Sequence, residues 1–230
     1  MTHSLVIAID GPCGSGKSTV AKEVAKNLSV LYVDTGAMFR ALGYTMDKLG
    51  IAFEEGERLK NFLADVKLSY GESEQVLVRI NGEDLTQKIR EHHVSGLASS
   101  VSKLGSIRAF LLDFQRDLAS KKVCVMEGRD IGTVVFPDAF CKIFVTADLK
   151  IRAQRRYDQL IGQGAKDVNF DTILADVKDR DDKDMNRPIA PLKQAEDAVL
   201  LDTSKLNPVE VIEAIRRIAF EKAKLRGVSL

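Results

Sequence analysis

One short stretch near the start of the chain has the residue types and spacing of a phosphate-binding loop. Residues 11–19 read GPCGSGKST, so that four residues separate Gly11 from the run Gly16-Lys17-Ser18. Glycines here let successive backbone N–H groups turn inward around phosphate oxygens, where side chains would clash. We expect the lysine to reach the β- and γ-phosphates of ATP and the serine hydroxyl to ligate Mg²⁺. The predicted donor-binding residues are Gly11, Pro12, Cys13, Gly14, Ser15, Gly16, Lys17, Ser18 and Thr19.

The sequence around this loop fits the same interpretation. An apolar run, Leu5–Ile9, precedes the loop, and an amphipathic helix with Val20, Val24 and Leu28 on one face follows it. A strand–loop–helix unit directs the positive end of the helix dipole at the bound anion. Cys13 lies inside the loop, but phosphoryl transfer needs no covalent nucleophile, so we expect its thiol chemistry to be incidental.

Composition excludes several other classes of function. The chain has 230 residues, of which 45% are hydrophobic and 29% charged, as in a soluble globular protein. Its net charge of +1 provides no global field to attract nucleic acid or a membrane surface, so we expect neither as a partner. The three cysteines show no pairing pattern, and no apolar run reaches signal-peptide or transmembrane length. We therefore predict a cytoplasmic protein.

Strands and helices are predicted to alternate, which indicates an α/β fold. Residues 66–86 differ, because apolar and polar residues alternate there on either side of a polar turn at 71–75, and Asn81-Gly82 is a strong hairpin signal. We predict a small antiparallel sheet inserted into the α/β core. Five continuous apolar runs are typical of buried parallel strands: Leu5–Ile9, Leu31–Val33, Val123–Met126, Ile143–Thr146 and Val199–Leu201.

A phosphate-binding loop alone does not separate GTPases, motor ATPases and small-molecule kinases. The guanine-reading NKxD motif of GTPases is absent, and Val123–Glu127 only loosely resembles the acidic-ended strand of large ATPases. The chain is instead rich in arginines spread along its length: Arg40, Arg108, Arg129, Arg152, Arg155, Arg156, Arg180 and Arg187. Because the planar guanidinium matches phosphate oxygens, arginines that converge in the fold suit an enzyme with two phosphate-bearing substrates.

Four further segments carry a family resemblance. They read DTGAMFRALG (34–43), EGRDIGTVVFPDA (127–139), RAQRRYDQL (152–160) and DRDDKDMNRPIAPL (179–192). In order and spacing they resemble bacterial cytidylate kinases over nearly the whole chain. The resemblance implies a three-layer P-loop fold with a five-stranded parallel sheet, an inserted small antiparallel sheet and a helical LID. It also implies a core of residues 1–34, 88–150 and 188–230, an NMP-binding region of residues 35–87 and a LID region of residues 151–187.

The activity that the resemblance implies is transfer of the γ-phosphoryl group of ATP to CMP or dCMP, giving ADP and CDP or dCDP. A cytosine site needs an acceptor for the exocyclic amine and a donor for the ring nitrogen, and a site built on such bonds discriminates strongly. By resemblance, Ser99, Arg108 and Asp130 contact the base, while Arg40 and Arg129 hold the CMP phosphate. Further contacts implied in the same way are Asp34, Thr35, Arg180, Asp184 and Arg187.

Two basic segments supply the remaining expected residues. Arg152, Arg155 and Arg156 begin the LID, and with Lys17 and Arg129 they are the catalytic candidates, although the pattern does not say which LID arginine acts. Within 178–187, Arg180, Asp184 and Arg187 share a helical face. The other charged residues there, Asp181, Asp182 and Lys183, are expected mostly at the surface.

Two alternatives remain open at this point. One is a P-loop kinase for another acceptor, such as UMP or a small alcohol. The other is a nucleotide-dependent switch that binds ATP without turnover, although a switch needs only one nucleotide site. No apolar stripe is left unassigned, so we expect a monomer.

Overall fold

Strands and helices alternate along most of the chain. The computed structural model describes residues 4–73, 77–91, 93–120, 122–165 and 167–230. Within them the strands are β1 (Ser4–Asp10), β2 (Leu31–Asp34), β3 (Leu68–Tyr70), β4 (Val78–Ile80), β5 (Glu83–Asp84), β6 (Cys124–Gly128), β7 (Ala139–Thr146) and β8 (Val199–Asp202). The α-helices are α1 (Lys17–Leu28), α2 (Thr35–Lys48), α3 (Glu57–Asp65), α4 (Val94–Val101), α5 (Gly105–Leu118), α6 (Leu149–Gly162), α7 (Phe170–Asn186) and α8 (Pro208–Arg226).

The chain divides into two compact units, one formed by residues 1–33 and 118–230 and the other by residues 34–117. The first unit is built on a five-stranded sheet in the spatial order β2–β6–β1–β7–β8. Its central strand, β1, pairs in parallel with β6 on one side and with β7 on the other. The strands β1, β6 and β7 are buried along most of their length, which matches their continuous apolar runs, whereas β8 alternates between half-buried and exposed residues. The predicted α/β class, with its five-stranded parallel sheet, is confirmed.

The main core of the first unit lies between the sheet and two helices. Side chains of α1 and α8, among them Val20, Val24 and Ile215, pack against buried residues of the strands. The helix α8 begins with two residues that favour a helix start. Asn207 caps the helix in a capping box, and Pro208 occupies its first turn. These contacts hold the loop between β1 and α1 at one edge of the sheet.

The helices α6 and α7 form a smaller apolar cluster of their own. Ala153, Leu160, Ile173 and Val177 are its buried members. The same buried face of α7 continues beyond Val177 into two carboxylates further along the helix. The apolar cluster therefore fixes which side of α7 turns inward, and so which of its charged residues are buried.

The second unit contains the inserted antiparallel sheet, which is confirmed. Strands β3, β4 and β5 lie side by side, with Leu68 opposite Ile80 and Ile80 opposite Glu83. Val76, predicted to take part in the second strand, lies outside the described residues, as does the end of the predicted turn at 71–75. This unit also includes α2, α3, α4 and nearly all of α5. In the part of the chain that the structure describes, no helix combines the length and hydropathy needed to cross a membrane.

Candidate active site

The loop between β1 and α1 is shaped by glycines that no other residue could replace. Gly11 has φ +150°, and a Cβ built there would lie 2.0 Å from the carbonyl oxygen of Val145 in β7. Gly14 has φ +72°, and its Cβ would lie 2.7 Å from the carbonyl oxygen of Arg152 in α6. The loop is therefore pressed against the backbone of β7 and α6, which holds its amides in a fixed arrangement.

Lys17 is buried at the start of α1, where the helix dipole attracts an anion. Its Nζ donates to the carbonyl oxygen of Pro12 at 2.7 Å and to Oγ of Ser15 at 3.2 Å. Burial, together with the nearby charge of Arg129, lowers the pKa of Lys17 to about 7. A phosphate placed beside this ammonium would stabilise its charged form, so the site is built to accept an anion.

Nucleotide binding is consequently expected to be linked to proton uptake. At about pH 8 most Lys17 side chains are neutral in the free protein, because their pKa is about 7. Bound phosphates raise that pKa, so about one proton is taken up when the nucleotide binds. Calorimetry of ATP binding in two buffers with different ionisation enthalpies measures this uptake. In Lys17→Arg the guanidinium stays charged at this pH, so uptake should vanish. Equal uptake by both proteins would contradict the assignment to Lys17.

Positive charge from several elements converges on the loop. Burial opposes ionisation of the Cys13 thiol, yet its pKa lies below the usual value because the charges of Arg180, Arg129, Lys17 and Arg156 outweigh burial. These four residues come from α7, from the end of β6, from α1 and from α6. A concentration of cations around a ring of backbone amides favours a polyphosphate ligand.

Glu127 is a candidate site residue to which the sequence patterns assign no role. It ends the apolar strand β6, is 4% exposed, and accepts a hydrogen bond from Oγ of Ser18 at 2.9 Å through Oε2. Its other oxygen accepts from the Tyr32 hydroxyl at 2.5 Å. The sequence signal for this residue is an acidic side chain at the end of the apolar run Val123–Glu127. The structure places that run in β6, directly beside β1.

The oxygen atoms of Ser18 and Glu127 are the kind of ligand that Mg²⁺ prefers, and they lie next to the phosphate-binding loop. Among the described residues no group of three or more His, Cys, Asp or Glu side chains could hold a metal ion. Mg²⁺ usually keeps several waters and binds through one or two protein ligands and the substrate phosphates. The residues present fit that mode of binding.

A buried carboxylate positions the segment that follows β6. Both oxygens of Asp10 accept backbone hydrogen bonds, from Ile131 N–H at 2.9 Å and from Gly132 N–H at 2.8 Å. Burial raises the pKa of Asp10 to about 6 despite these bonds, and the neighbouring charge of Asp130 adds to the shift. The π-helical turn Ile131–Val135 is thereby joined to the end of β1, which fixes where the preceding arginine and aspartate lie.

Five residues assigned to the acceptor by resemblance come together in the first unit. Nε of Arg129 donates to Asp184 at 2.9 Å, and Nη2 of Arg187 donates to Asp130 at 3.0 Å. Although burial raises the pKa of Asp184, the charges of Arg129, Arg180 and Arg187 hold it below its usual value. Nε of Arg180 is buried without a hydrogen-bond partner among the described residues, so this donor is available to a ligand.

The three predicted LID arginines have different environments. Arg152 is buried, and its Nε donates to the carbonyl oxygen of Ala147 at 2.9 Å. Arg155 donates to Oγ1 of Thr203 at 2.9 Å and also to the backbone carbonyl of that residue at 2.8 Å. Nη1 of Arg156 donates to Gln159, one turn along the same helix, at 3.0 Å.

The expectation that Asp181 lies at the surface is wrong. Asp181 is 5% exposed and forms an ion pair with Arg152. It falls on the buried face of α7 because Val177 and Ile173, four and eight residues earlier, belong to the apolar cluster. Asp182, the next residue, is exposed as predicted.

The remaining predicted residues belong to the second unit. Nη2 of Arg40 donates to Asp34 at 2.8 Å, and the other oxygen of Asp34 caps α2 by accepting from the N–H of Ala37 at 2.9 Å. Thr35, the first residue of α2, is buried. Arg108 lies over the ring of Phe39, with 5.5 Å from its guanidinium carbon to the ring centroid. It also donates to the carbonyl oxygen of Ser102 at 3.2 Å, which holds its guanidinium in place.

Ser99 lies on α4 of the second unit and is half-buried. Its carbonyl oxygen accepts from Oγ of Ser102 at 2.9 Å, so the end of α4 is tied to the same residue that holds Arg108. Within this unit, therefore, Ser99 and Arg108 share Ser102 as a common neighbour.

A parallel α/β sheet that carries a phosphate-binding loop, a buried lysine and a converging set of arginines defines a P-loop phosphotransferase. The model of one family, described as cytidylate kinase, matches residues 7–221. The chain belongs to the cytidylate kinase family. It is therefore an enzyme, a kinase of a family that phosphorylates nucleotides.

Individual relatives support this assignment. The chain is 43% identical over 217 residues to the cytidylate kinase of Caldicellulosiruptor saccharolyticus, covering 94% of this chain and 95% of that one. It is 44% identical over 223 residues to the cytidylate kinase of Ligilactobacillus salivarius, with 96% and 99% covered. Among solved structures, an uncharacterized protein from Eubacterium ventriosum matches with a TM-score of 0.51 at 15% identity over 94% of this chain and 98% of that one. The last likeness concerns the fold alone.

Proposed function

We propose that this enzyme transfers the γ-phosphoryl group of ATP to CMP or dCMP and releases ADP with CDP or dCDP. The observation that carries the proposal is a set of cationic side chains held against the loop, where Lys17, Arg152 and Arg155 donate to the carbonyl oxygens of Pro12, Cys13 and Ser15. Two nucleotides that meet end to end bring several phosphate charges together, and this concentration of cations is what such a meeting requires. The family assignment supports CMP as the acceptor.

The proposed donor site is the loop of residues 11–19. Its amides and Lys17 hold the ATP phosphates, and Arg155 and Arg156 approach from α6. Ser18 and Glu127 would hold Mg²⁺, either directly or through water, beside the phosphates. When bound, the metal would neutralise charge on the β- and γ-phosphate oxygens.

The residues proposed for the acceptor are carried over one by one from the family resemblance. Arg40 and Arg129 bind the CMP phosphate, with Asp34 and Thr35 as further contacts. Ser99, Arg108 and Asp130 read the cytosine edge. Support for the last assignment comes from the fixed guanidinium of Arg108 and from the buried ion pair that orients Asp130. Arg180 and Asp184 approach the ribose hydroxyls, with Arg187 nearby on the nucleotide.

The chemical step needs positioning and charge stabilisation rather than proton abstraction. An oxygen of the CMP phosphate, already an anion, forms a bond to the γ-phosphorus of ATP while the bond from that phosphorus to the β–γ bridging oxygen breaks. The bridging oxygen leaves with the electron pair as part of ADP. Lys17, Arg129 and the LID arginines spread the developing charge, and no strong general base is required.

Closure of the site would keep water from the γ-phosphate. We propose that the LID region of residues 151–187 supplies this closure, while the NMP-binding region is that of residues 35–87. Gly162 and Gly164, at the turn that follows α6, are suited to a hinge, and a Cβ at either position would meet nothing within 4 Å. The monomeric state and the cytoplasmic location stay predictions.

A comparison of acceptors tests the proposal. ADP release is measured separately with CMP, dCMP, UMP and AMP, using purified enzyme with ATP and Mg²⁺. We expect kcat/KM for CMP to exceed that for UMP by at least about a hundredfold, because UMP would leave buried hydrogen-bonding groups without partners. A higher kcat/KM for UMP than for CMP would contradict the cytidine assignment. ATP binding without ADP release for any acceptor would instead favour a nucleotide-dependent switch.

A further inference from the structure

We propose that Asp181 is a positioning residue of the donor site, which acts by holding the peptide groups on both sides of Cys13 and the guanidinium of Arg152. The inference rests on the proposed function, since it assigns ATP to the loop of residues 11–19. Its basis is a closed set of hydrogen bonds within the first unit. Asp181 lies within the segment 179–192 that carries the family resemblance, but it was expected at the surface.

The carboxylate of Asp181 makes two contacts. Oδ1 accepts from the backbone N–H of Cys13 at 3.1 Å, and Oδ2 accepts from Nη1 of Arg152. The same Nη1 also donates to the carbonyl oxygen of Cys13 at 2.9 Å. One carboxylate and one guanidinium therefore hold both the donor and the acceptor of a single loop residue. Asp181 and Arg152 are 5% and 7% exposed, so water competes little for these bonds.

These bonds set the direction of two successive peptide planes. In a trans peptide the C=O and the N–H of the same peptide group lie in one plane and point in opposite directions across the Cα–Cα axis. Holding the Cys13 carbonyl toward Arg152 therefore turns the N–H of Gly14 to the other side. On the preceding plane, the N–H of Cys13 is held by Asp181, while the carbonyl of Pro12 accepts from Nζ of Lys17 at 2.7 Å. Asp181 thus controls the orientation of the loop amides and of the Pro12 carbonyl group, which accepts from Lys17.

Arg152 is packed closely against the loop. The carbonyl oxygen of Arg152 lies so close to the loop that a Cβ on Gly14 would be 2.7 Å from it. Nε of Arg152 is also held, by the carbonyl oxygen of Ala147 at the end of β7. A change in the position of the guanidinium would therefore be transmitted to the loop. Arg152 and Asp181 also lie near the two ends of the proposed LID region, so both ends are joined to the donor loop.

The test compares two neighbouring aspartates of α7. Asp181→Asn removes one negative charge and places an amide N–H₂ against a hydrogen-bond donor. Asp182→Asn makes the same chemical change at an exposed position and serves as the matched control. We expect Asp181→Asn to raise the KM for ATP and the calorimetric Kd for ATP by about tenfold, while the KM for CMP changes by less than about twofold. Asp182→Asn should change none of these values by more than about twofold.

Three results would overturn the proposal. They are equal increases of both KM values in Asp181→Asn, equal effects of Asp181→Asn and Asp182→Asn, and a lower Tm for Asp181→Asn with wild-type kinetics. If Asp181→Asn does not fold, Asp181→Glu keeps the charge but moves it by one methylene, and the same selective rise in the KM for ATP is expected. ATP binding is measured without acceptor, so this test stands even if the wild-type enzyme forms no CDP, a result that would contradict only the proposed function.

Discussion

Replacing Lys17 with methionine is expected to lower kcat/KM for ATP by about a thousandfold. Lys17 is buried at the loop, where its Nζ donates to the carbonyl oxygen of Pro12, and its ammonium is proposed to bind the β- and γ-phosphates. Methionine keeps most of the side-chain volume but has no charge and no donor, so charge that develops on the transferred group loses its main stabiliser. Steady-state kinetics with CMP as acceptor measure the effect.

The control for this substitution lies on the same helix. Lys22 of α1 is exposed, and Lys22→Met should leave kcat/KM within about twofold of the wild-type value. A loss below about tenfold in Lys17→Met would mean that the loop does not hold the reacting phosphates. The proposed donor site would then have to be abandoned, whatever the identity of the acceptor.

Replacing Arg187 with alanine is expected to lower the free energy of unfolding by about 3–5 kcal/mol. The ion pair between Arg187 and Asp130 has a length of 3.0 Å, and its side chains are 3% and 7% exposed. Removing the guanidinium takes away the charge that compensates the buried carboxylate of Asp130. Nε of Arg187 also donates to the carbonyl oxygen of Ala190 at 2.6 Å, and that bond is lost as well. Urea unfolding followed by circular dichroism measures the change.

An exposed ion pair provides the comparison. Arg216 and Glu213 interact at 2.8 Å on α8, with 33% and 62% of their side chains exposed. Arg216→Ala should cost less than about 1 kcal/mol, because solvent screens such pairs. If Arg187→Ala cost as little as Arg216→Ala, the pair with Asp130 would contribute nothing to the fold, and its proposed role in orienting Asp130 would lose its support.

The sequence predicts those parts of the site that depend on local patterns. The loop of residues 11–19 is recognisable because its glycines, lysine and serine are adjacent in the chain. The five strands of the parallel sheet are recognisable because each contains a short continuous apolar run. The small antiparallel sheet follows from the alternation within residues 66–86 and from Asn81-Gly82. In each case the signal and the structure lie within a few residues of each other.

Contacts between distant segments were harder to predict. Glu127 meets Ser18 because β6 lies beside β1, a neighbour relation that the order of elements along the chain does not reveal. Asp181 lies within a run of charges of both signs, and charge alone does not distinguish it from Asp182. A signal was nevertheless present, since the stripe that begins at Ile173 and Val177 continues to position 181 at helical spacing. Extending an apolar stripe into a charged segment would have identified the buried carboxylate.

The most direct test of the central claim follows the transferred phosphate itself. The enzyme is incubated with Mg²⁺, CMP and ATP labelled at the γ-phosphate, and the nucleotides are separated. The account predicts that the label appears in CDP in equal amount to the ADP formed, with little label in inorganic phosphate. Label that appears only in inorganic phosphate, or ADP formation that does not depend on CMP, would contradict a site in which two nucleotides meet.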